Sequence, residues 1–466
     1  MRPRMDPSEL KEKILSRSAK ISVIGQGYIG LPLALLLADS GFSVIGYDVD
    51  SKLIEELSIG ITRLRNEKGV SDLLLKHLGS RYFPSSDRGR LKGSDVIIVA
   101  VPTPRVNGSA DLGMLMDAIE LASSTINRGG LIVVESTLPP KTFDMLLDEI
   151  SKAGLKPGED VFVSYCPERA MPGKLIEELI SNYRIIGVKD PISAELSKIL
   201  YRCFVKGEIE VTDPLTAEIT KLVENAYRDV NIAFANEVAR ICEALGSDVR
   251  KVRELVNKHP RVNMLLPGIG VGGSCLTKDP LFLSWVSSEN GYSPELIKLA
   301  RELNESMPAH YAILIDDFIK WKNSGSGTIC VLGVTYKGDV ADTRESPAKY
   351  LISELMKMGH RVRVYDPLVR ESFGAKYYDR LEEAVKDVDV IVIVSDHSEF
   401  KDMDLLKIRG LAGRGPVLLL DGRLIIDKEK AEASGFIYAS VGNISSLKFT
   451  RGEAIAFREV ISKIPL

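Results

Sequence analysis

The chain has 466 residues, of which 45% are hydrophobic and 27% charged, with a formal net charge of −3. Its length exceeds what one core supports and predicts roughly two to four domains of an ordinary globular protein. The near-neutral charge excludes a general attraction to nucleic acid or anionic lipid, and five Cys without a CxxC pair predict a reducing, cytoplasmic environment.

The first 18 residues are charged and amphipathic, without the apolar stretch of a signal peptide, and predict an N-terminal extension. Nowhere in the chain do about 18 apolar residues follow one another, so no membrane contact is expected. The five His residues are too few and too scattered to indicate a metal site.

Strand-like runs alternate with helical patterns from residue 20 onward, which is typical of a parallel α/β sheet. Lys20–Ile24 is the first predicted strand, and Leu31–Ser40 is a helix that Gly41 ends. Arg184–Val188 is expected to close the sheet. The strands predicted between them are Phe42–Tyr47, Asp95–Val101, Leu131–Glu135 and Val161–Tyr165.

One long amphipathic helix is predicted over Asp213–Ala244, because no Pro or Gly follows Pro214 within it. A helix of this length between two α/β halves often forms a dimer face, so we expect a homodimer through it. A helical region then continues to about Lys322.

A second α/β half begins after the linker-like Asn323–Gly327. Its predicted strands are Thr328–Leu332, Arg361–Tyr365, Asp389–Val394 and Val417–Leu420, and Ser346-Pro347 opens a helix as N-cap and N1 residues. The predicted fold is therefore α/β, with two Rossmann-like parallel-sheet domains joined by the long central helix and a helical dimerisation region. The predicted boundaries are 1–18, 19–210, 211–322 and 323–466.

Gly25-Gln-Gly-Tyr-Ile-Gly30 follows a predicted strand and opens a predicted helix, the context of a dinucleotide fingerprint. Gly25 allows the tight turn, Gly27 lets the backbone approach a pyrophosphate, and Gly30 allows close packing of helix on strand. Asp48 ends the second strand, where an acid accepts the ribose hydroxyls and disfavours a 2′-phosphate. The sequence predicts NAD as the cofactor.

A second glycine loop, Gly333-Val-Thr-Tyr-Lys-Gly338, stands at the corresponding place in the second half, but it is not GxGxxG. We expect no second dinucleotide there. Lys337 and Arg344 suit a different phosphate-bearing ligand, although both would serve equally well as solvated loop charges.

Cys275 follows the run Gly268–Ser274, which is rich in glycine, so the backbone comes close to a ligand and the sulfur stays reachable. Lys278 and Asp279 add one charge of each sign, and such surroundings favour a reactive thiol over a small buried one. Asp279-Pro280 also reads as N-cap and N1 of a helix over Leu281–Ser287.

Three polar side chains of the long helix share one face, since Lys221, Asn225 and Arg228 are spaced i, i+4 and i+7. The pattern suits a cleft or a solvent-exposed stripe. Four other cysteines are set apart from this chemistry: Cys330 and Cys242 are expected in the core, and Cys166 and Cys203 have no nearby partner in sequence.

Several motifs together, in one order along the chain, resemble the nucleotide-sugar 6-dehydrogenases from about Ile21 to about Gly442. The resemblance is closest to the branch that acts on UDP-N-acetylhexosamines, through residues such as those of 227–231 and 259–263. The motifs are Val101–Pro104, Glu135–Thr137, Cys166–Arg169, Ala217–Ala233, Gly272–Asp279 and Val331–Arg344.

This resemblance implies an NAD-dependent four-electron oxidation of a primary alcohol to a carboxylate, with UDP-N-acetyl-D-mannosamine as the expected substrate. Cys275 would form a thiohemiacetal and then a thioester, Lys221 and Asn225 would stabilise an alkoxide, and hydrolysis would follow. The implied catalytic residues are Cys275, Lys221, Asn225, Asp279, Glu168 and Thr137.

The same resemblance assigns binding residues. Those implied for NAD are Gly25, Gly27, Tyr28, Ile29, Gly30, Asp48, Thr103 and Thr137. Those implied for the UDP-sugar are Glu168, Arg169, Lys221, Asn225, Arg228, Arg261, Gly272, Lys337 and Arg344, with Arg261 reaching the substrate either in its own or in a neighbouring subunit, or else being a surface residue.

Alternatives stay open at this point. The substrate could be UDP-N-acetylglucosamine, UDP-glucose or GDP-mannose, because one hydroxyl-sized group separates the epimers. A two-electron hydroxyacid dehydrogenase would need neither Cys275 nor the second α/β half. A non-catalytic NAD-binding sensor is disfavoured because Lys221, Asn225, Cys275 and Asp279 are all present.

Overall fold

The computed structural model describes residues 4–106, 108–322 and 325–447. Within those ranges the chain forms two compact units. Unit 1 extends to Glu224 and includes Leu281–Ser293, and unit 2 comprises Asn225–Pro280 and the residues from Pro294 onward. Both units are α/β, as predicted, while the proposed domain boundaries stay predictions.

Unit 1 contains an eight-stranded sheet. Its strands are β1 (Lys20–Ile24), β2 (Ser43–Tyr47), β3 (Tyr82–Ser85), β4 (Ser94–Val99), β7 (Ile126–Val134), β8 (Val161–Tyr165), β9 (Arg184–Gly187) and β10 (Ile209–Thr212), and a separate hairpin consists of β5 (Arg105–Val106) and β6 (Ser109–Ala110).

The strand order in this sheet is β10-β9-β8-β7-β4-β1-β2-β3, which contains the 3-2-1-4 arrangement of a dinucleotide-binding fold. All neighbours pair in parallel except β8 and β9, which are antiparallel. The prediction that Arg184–Val188 closes the sheet was wrong, because β10 lies outside it. This edge strand was missed because Glu210 and Val211 are exposed and leave no continuous apolar run.

The helices of unit 1 cover both faces of the sheet. They are α1 (Pro7–Leu15), α2 (Gly30–Asp39), α3 (Ser51–Ser58), α4 (Val70–His77), α5 (Gly113–Thr125), α6 (Thr142–Lys152), α7 (Leu175–Ser181) and α8 (Pro191–Tyr201), with a 3-10 turn at Arg88–Leu91. α1 falls in the predicted N-terminal extension, where Asp6 caps it and Leu10 and Ile14 enter the core.

Four helices follow: α9 (Pro214–Leu245), α10 (Val249–Val256), α11 (Asp279–Glu289) and α12 (Glu295–Trp321). α9 confirms the predicted long helix to within one residue at each end. Pro214 fits its first turn because the missing N–H has no partner there anyway. α11 begins at Asp279 itself, so Asp279 is the first helical residue instead of the predicted cap.

Unit 2 contains a six-stranded sheet of β11 (Thr328–Leu332), β12 (Arg361–Tyr365), β13 (Lys376–Tyr377), β14 (Val390–Ile393), β15 (Leu418–Asp421) and β16 (Ile437–Ser440). All its pairs are parallel, in the doubly wound order β13-β12-β11-β14-β15-β16. The helices around it are α13 (Pro347–Lys357), α14 (Leu381–Ala384), α15 (Ser398–Lys401), α16 (Leu405–Leu411) and α17 (Lys428–Ala433).

The cores explain why these segments could be recognised. The central strands of both sheets are almost wholly buried and apolar, as expected of parallel sheets covered on both faces. The Ser346 side chain caps α13 by accepting from the Ala348 N–H at 3.2 Å, which confirms the predicted start. Cys330 and Cys242 are buried, as predicted.

Candidate active site

The glycine turn of unit 1 connects β1 to α2 and has the close contacts that require glycine. Gly25 has a φ of +92°, and its N–H donates to the Tyr47 carbonyl at 2.8 Å. A Cβ on Gly30 would collide with the Gly25 carbonyl. A Cβ on Gly27 would meet nothing within 4 Å, so the backbone there is open to a ligand.

Asp48 stands beside this turn at the end of β2. Its Oδ2 accepts from the Gln26 N–H at 2.7 Å and its Oδ1 from the Asp50 N–H at 3.0 Å. The side chain is only partly buried, and each carboxylate oxygen keeps a free lone pair that can accept from a ribose hydroxyl. Tyr28 and Ile29 are also partly exposed, and the Tyr28 hydroxyl donates to Glu67.

The loops after β4 and β7 meet at the carboxyl edge of the same sheet. The Thr103 hydroxyl donates to the Thr137 carbonyl at 2.9 Å, and the Ser136 hydroxyl bonds both the N–H and the carbonyl of Val101, at 2.9 and 2.8 Å. In open α/β sheets a ligand binds at this edge, beside the strands where the order reverses. The structure thus brings Thr103 and Thr137 together where a dinucleotide is expected.

Glu168 lies in the turn after β8, where the Ala170 N–H donates to its carboxylate. Burial raises the pKa of Glu168 to about 7, against the opposing effect of the Lys221 ammonium. Lys221 is 8% exposed on α9, while Glu168 itself is partly exposed. Arg169 pairs with Glu224 and lies over the Tyr183 ring.

A buried charged cluster at the end of β7 was not predicted. The Arg184 guanidinium lies 2.8 Å from Glu135 Oε1, and the Tyr201 hydroxyl donates to the same oxygen at 2.5 Å. Burial, then the Glu135 carboxylate, raises the pKa of the neighbouring Cys166 thiol to about 12. The available signal was the acid that directly follows the apolar run of β7.

The loop of unit 2 that holds Cys275 is folded tightly against the segment 336–345. A Cβ on Gly273 would lie 2.8 Å from the Tyr336 ring, and one on Gly272 would lie 2.5 Å from the Glu345 carbonyl. The Gly273 N–H donates to the Arg344 carbonyl at 3.0 Å. Within this loop Cys275 is exposed.

Cys275 also begins the turn that leads into α11. The N–H groups of Lys278 and Asp279 donate to the Cys275 carbonyl at 3.1 and 2.8 Å. The Asn225 amide donates to Asp279 Oδ2 at 2.7 Å, and both side chains are buried. Unit 2 therefore brings Asn225, Asp279 and the Cys275 backbone together.

Of the remaining predicted substrate residues, Arg344 borders the Cys275 loop through its carbonyl, which accepts from the Gly273 N–H at 3.0 Å. Arg344 forms a bidentate pair with Asp342, with Nε 3.0 Å from Oδ1 and Nη2 2.6 Å from Oδ2, and this hydrogen bonding raises the pKa of Arg344. Arg261 is exposed and contacts the His259 ring at 3.5 Å. Arg228 and Lys337 are partly exposed.

Among the described residues, no group of three or more His, Cys, Asp or Glu side chains is arranged to hold a metal ion. None of the helices in the described ranges combines the length and apolar character that crossing a bilayer requires.

Three models of one family match successive parts of the chain: the NAD binding domain of the UDP-glucose/GDP-mannose dehydrogenase family at residues 19–205, its central domain at 215–306 and its UDP binding domain at 330–428. A UDP-N-acetyl-D-mannosamine dehydrogenase of Methanocaldococcus jannaschii is 41% identical over 422 residues, covering 90% of this chain and 95% of that protein.

A second relative, the UDP-N-acetyl-D-mannosamine dehydrogenase of Pyrococcus horikoshii, is 42% identical over 430 residues, covering 91% of this chain and 99% of that protein. The solved structure of a UDP-D-ManNAc dehydrogenase from Pyrococcus horikoshii superposes with a TM-score of 0.85 at 39% identity, covering 91% of this chain and all of that one.

Proposed function

Because this chain belongs to the UDP-glucose/GDP-mannose dehydrogenase family, we propose that it is an NAD-dependent dehydrogenase that oxidises C6 of UDP-N-acetyl-D-mannosamine to the carboxylate. The observation that supports the chemistry is the contrast between its thiols. Cys275 is exposed in a glycine loop beside buried Asp279 and Asn225, whereas Cys166 is buried with a pKa raised to about 12.

The turn of unit 1 fits NAD, since the open backbone at Gly27 and the partly exposed Asp48 provide for a pyrophosphate and a ribose. We assign its binding to Gly25, Gly27, Gly30 and Asp48, with Tyr28, Ile29, Thr103 and Thr137 alongside. Bound NAD supplies the acceptor for a hydride from C6, once for each of the two oxidation steps.

The chain's own groups carry the rest of the reaction. Lys221 and Asn225 hold the oxygen of C6 while its proton passes to solvent, and fixed donors of this kind are often worth about 3 kcal/mol in the transition state. The Cys275 thiolate adds to the aldehyde carbon to give the alkoxide form of a thiohemiacetal, and loss of a hydride from that carbon leaves a thioester on sulfur. Asp279 fixes Asn225 through the 2.7 Å hydrogen bond.

Hydrolysis of the thioester needs a base that is ionised at neutral pH and still able to accept a proton. Glu168 suits this role because a carboxyl group with a pKa raised to about 7 is partly ionised at neutral pH and is basic enough to accept a proton. In the proposed step Glu168, acting with Thr137, takes a proton from water and the water oxygen bonds to the acyl carbon. The carbon–sulfur bond then breaks to release the thiolate and a carboxylic acid, which loses its proton to solvent and becomes the carboxylate. The UDP-sugar contacts assigned to Arg169, Arg228, Arg261, Gly272, Lys337 and Arg344 are part of the proposal.

The test is the number of NADH molecules formed per sugar consumed, measured with UDP-N-acetyl-D-mannosamine and with UDP-N-acetylglucosamine. We expect two NADH per sugar with the mannosamine epimer. A Cys275→Ala variant should lose acid formation, while Cys203→Ala, which removes a half-buried thiol in the turn just after α8, should behave as the parent. One NADH per sugar in the parent, or an active Cys275→Ala variant, would contradict the thioester route.

We also propose a homodimer through α9. Large apolar side chains recur every three to four residues, or at twice that spacing, along one side of this helix. All of them are exposed, and a continuous apolar stripe of this kind is unusual on the surface of a monomer. The stripe comprises Leu215, Ile219, Val223, Tyr227, Phe234, Ile241 and Leu245. Light scattering should show a dimer that Phe234→Glu disrupts, whereas Leu406→Glu, at an exposed apolar site on α16, should leave it intact. A monomeric parent would contradict this.

A cytoplasmic location completes the proposal, because the exposed Cys275 must stay reduced to act as a nucleophile. Cell fractionation should recover the activity in the cytoplasmic fraction. Activity found only in an oxidising compartment would contradict the proposal.

A further inference from the structure

Behind the Cys275 loop, unit 2 contains a row of buried polar side chains that has no part in the reaction proposed above. Asp229 and Asn236 stand on α9, and Arg301 and Asn304 on α12. None of the four is more than 2% exposed. Charged and amide groups are seldom buried so completely unless they are paired, so each must have a structural or functional partner.

The charged pair touches the loop directly. Arg301 Nη1 lies 2.6 Å from Asp229 Oδ1 and donates to the Leu276 carbonyl at 3.1 Å. Leu276 is the residue after Cys275, so one guanidinium nitrogen connects α9, α12 and the backbone next to the thiol. Asn304 reinforces the pair by donating to Asp229 Oδ1 at 2.8 Å and to the Asp229 carbonyl at 3.0 Å.

The amide pair holds the other end of the same loop. Asn236 donates to Asn304 Oδ1 at 2.8 Å, and its own Oδ1 accepts from the Gly268 N–H at 2.9 Å. Gly268 is the first glycine of the run that precedes the thiol, and Leu276 is the residue directly after the thiol. A segment with so many glycines has little stiffness of its own, so its shape depends on these two attachments.

The pair is not arranged for stability alone. Among the described residues, Asp229 Oδ2 and Arg301 Nη2 are buried and have no hydrogen-bond partner. Buried ion pairs that leave atoms unsatisfied contribute little net stability compared with apolar side chains of the same size. A buried ion pair at this place is explained if the Arg301 guanidinium serves to hold the Leu276 carbonyl.

We infer that Arg301, held by Asp229 and Asn304, is a positioning residue that fixes the Cys275 loop for attack on the aldehyde. The inference rests on the proposed function for its catalytic consequence, but its structural part can be tested without turnover. A reacting group displaced by about 1 Å loses about a hundredfold in rate. The first oxidation uses no sulfur, so only the second oxidation and the hydrolysis should suffer.

The principal variant is Arg301→Lys, which keeps a positive charge near Asp229 but has a shorter side chain, whose ammonium does not reach the position from which Nη1 contacts both Asp229 and Leu276. We expect alcohol oxidation within about twofold of the parent, acid formation lower by about a hundredfold, and fewer than two NADH per sugar with aldehyde released. The matched control is Glu305→Gln, which alters the exposed contact 3.2 Å from Arg301 Nε and should change neither rate.

Hydrogen exchange measured by mass spectrometry provides the readout that does not depend on activity. In Arg301→Lys, amides of residues 268–279 should exchange faster, while those of β11 and β12 should keep the parent's rates. Asp229→Asn should give the same local pattern, because it releases the guanidinium from the other side. If the parent proves to oxidise no nucleotide sugar, the proposed function fails, and the exchange result still decides whether Arg301 holds the loop.

Three results would overturn the inference. One is unchanged exchange at residues 268–279 in both variants. Another is an equal fall in alcohol oxidation and acid formation together with faster exchange throughout the β11–β16 sheet, which would show general destabilisation. The third is failure of both variants to fold, which would assign the pair to stability alone.

Discussion

Unit 1 and unit 2 each have a glycine turn after the first strand of a 3-2-1-4 sheet, and the two turns share their backbone bonds. The Gly25 N–H donates to the Tyr47 carbonyl at 2.8 Å, and the Gly333 N–H donates to the Tyr365 carbonyl at 2.9 Å. The next N–H in each turn donates to an aspartate at the end of the second strand, Asp48 at 2.7 Å and Asp366 at 2.8 Å.

What differs is the space around that aspartate. Asp48 is partly exposed beside the open Gly27. Asp366 is 2% exposed and lies 3.1 Å from the ring of buried His397. At the position of Gly27, unit 2 has Thr335, whose hydroxyl bonds the same ring at 3.0 Å.

The His397 tautomer follows from these contacts. Its Nδ1 accepts from the Asp339 N–H at 3.0 Å, so Nε2 carries the proton and donates toward Asp366. The acid that would receive a ribose in unit 1 is thus occupied within the protein in unit 2. The same backbone arrangement leaves its aspartate partly exposed in unit 1 and occupied by an internal network in unit 2, so a glycine turn alone does not identify a dinucleotide site.

Truncation of Asp366 in unit 2 should have the largest effect of the substitutions considered, and the effect should be on stability. Asp366→Ala leaves the Val334, Leu368 and Val369 N–H groups and the His397 ring without their acceptor. We expect the free energy of unfolding to fall by about 3–5 kcal/mol, because each buried donor left without an acceptor costs about 1–3 kcal/mol. Urea denaturation measures this loss, and the affinity for NAD should be unchanged in the folded protein. A stability equal to the parent's would mean that the network contributes nothing.

Closing the open turn of unit 1 should have a smaller effect, which falls on the affinity for NAD and not on stability. Gly27→Val places its Cβ where no atom lies within 4 Å, so we expect little change in the melting temperature. The approach of a pyrophosphate to the backbone would be blocked, and the dissociation constant for NAD should rise about a hundredfold, or about 2.7 kcal/mol. Thr335→Val is the control, because it alters the corresponding residue of unit 2 and should leave NAD binding intact. An unaltered affinity in Gly27→Val would move the cofactor away from this turn.

Asp48→Ala should weaken NAD binding by about tenfold, less than the steric block, because the ribose hydroxyls lose an acceptor but the turn stays open. The preference for NAD over NADP should fall as well, since the charge that repels a 2′-phosphate is gone. Calorimetric titration with both dinucleotides measures the two effects. A variant that still rejects NADP as strongly as the parent would show that another residue sets the preference.

These differences also show what the sequence could and could not predict. The strands β1, β8, β11 and β12 were predicted to the residue. Mostly apolar runs mark β1, β8 and β11, and β12 alternates arginine with valine at the two-residue period of a strand. The edge strands β3, β10, β13 and β16 were missed, since such strands are short or mixed in polarity.

The candidate site divides along the same line. The glycine turns, Asp48 and Cys275 are marked by the residues next to them in sequence, so they could be proposed from the sequence alone. Partners far apart in sequence had none: Arg301 meets Leu276 across 25 positions and Asp229 across 72. Only packing brings them together, and a charged residue on an amphipathic helix is otherwise interpreted as solvent-exposed.

The smallest effect concerns protonation, where the acids of the two units again differ. Burial raises the pKa of Glu168 to about 7, whereas for Asp366 the hydrogen bonds from His397 and the backbone outweigh burial and lower the pKa below its usual value near 3.8. A base acts when ionised, so the rate of hydrolysis should rise with pH to a plateau, with a midpoint near 7 that shifts only a few tenths with ionic strength.

Asp366 has a depressed folded-state pKa, so the stability that it provides is complete above pH 4 and is lost only as the pH falls through that lower value. Between pH 5 and 8, therefore, turnover should change while the Asp366-dependent stability stays constant, and a Glu168→Gln variant should lose the acidic limb of the pH–rate profile together with acid release. A profile with the same limb in that variant would assign the titration to another group.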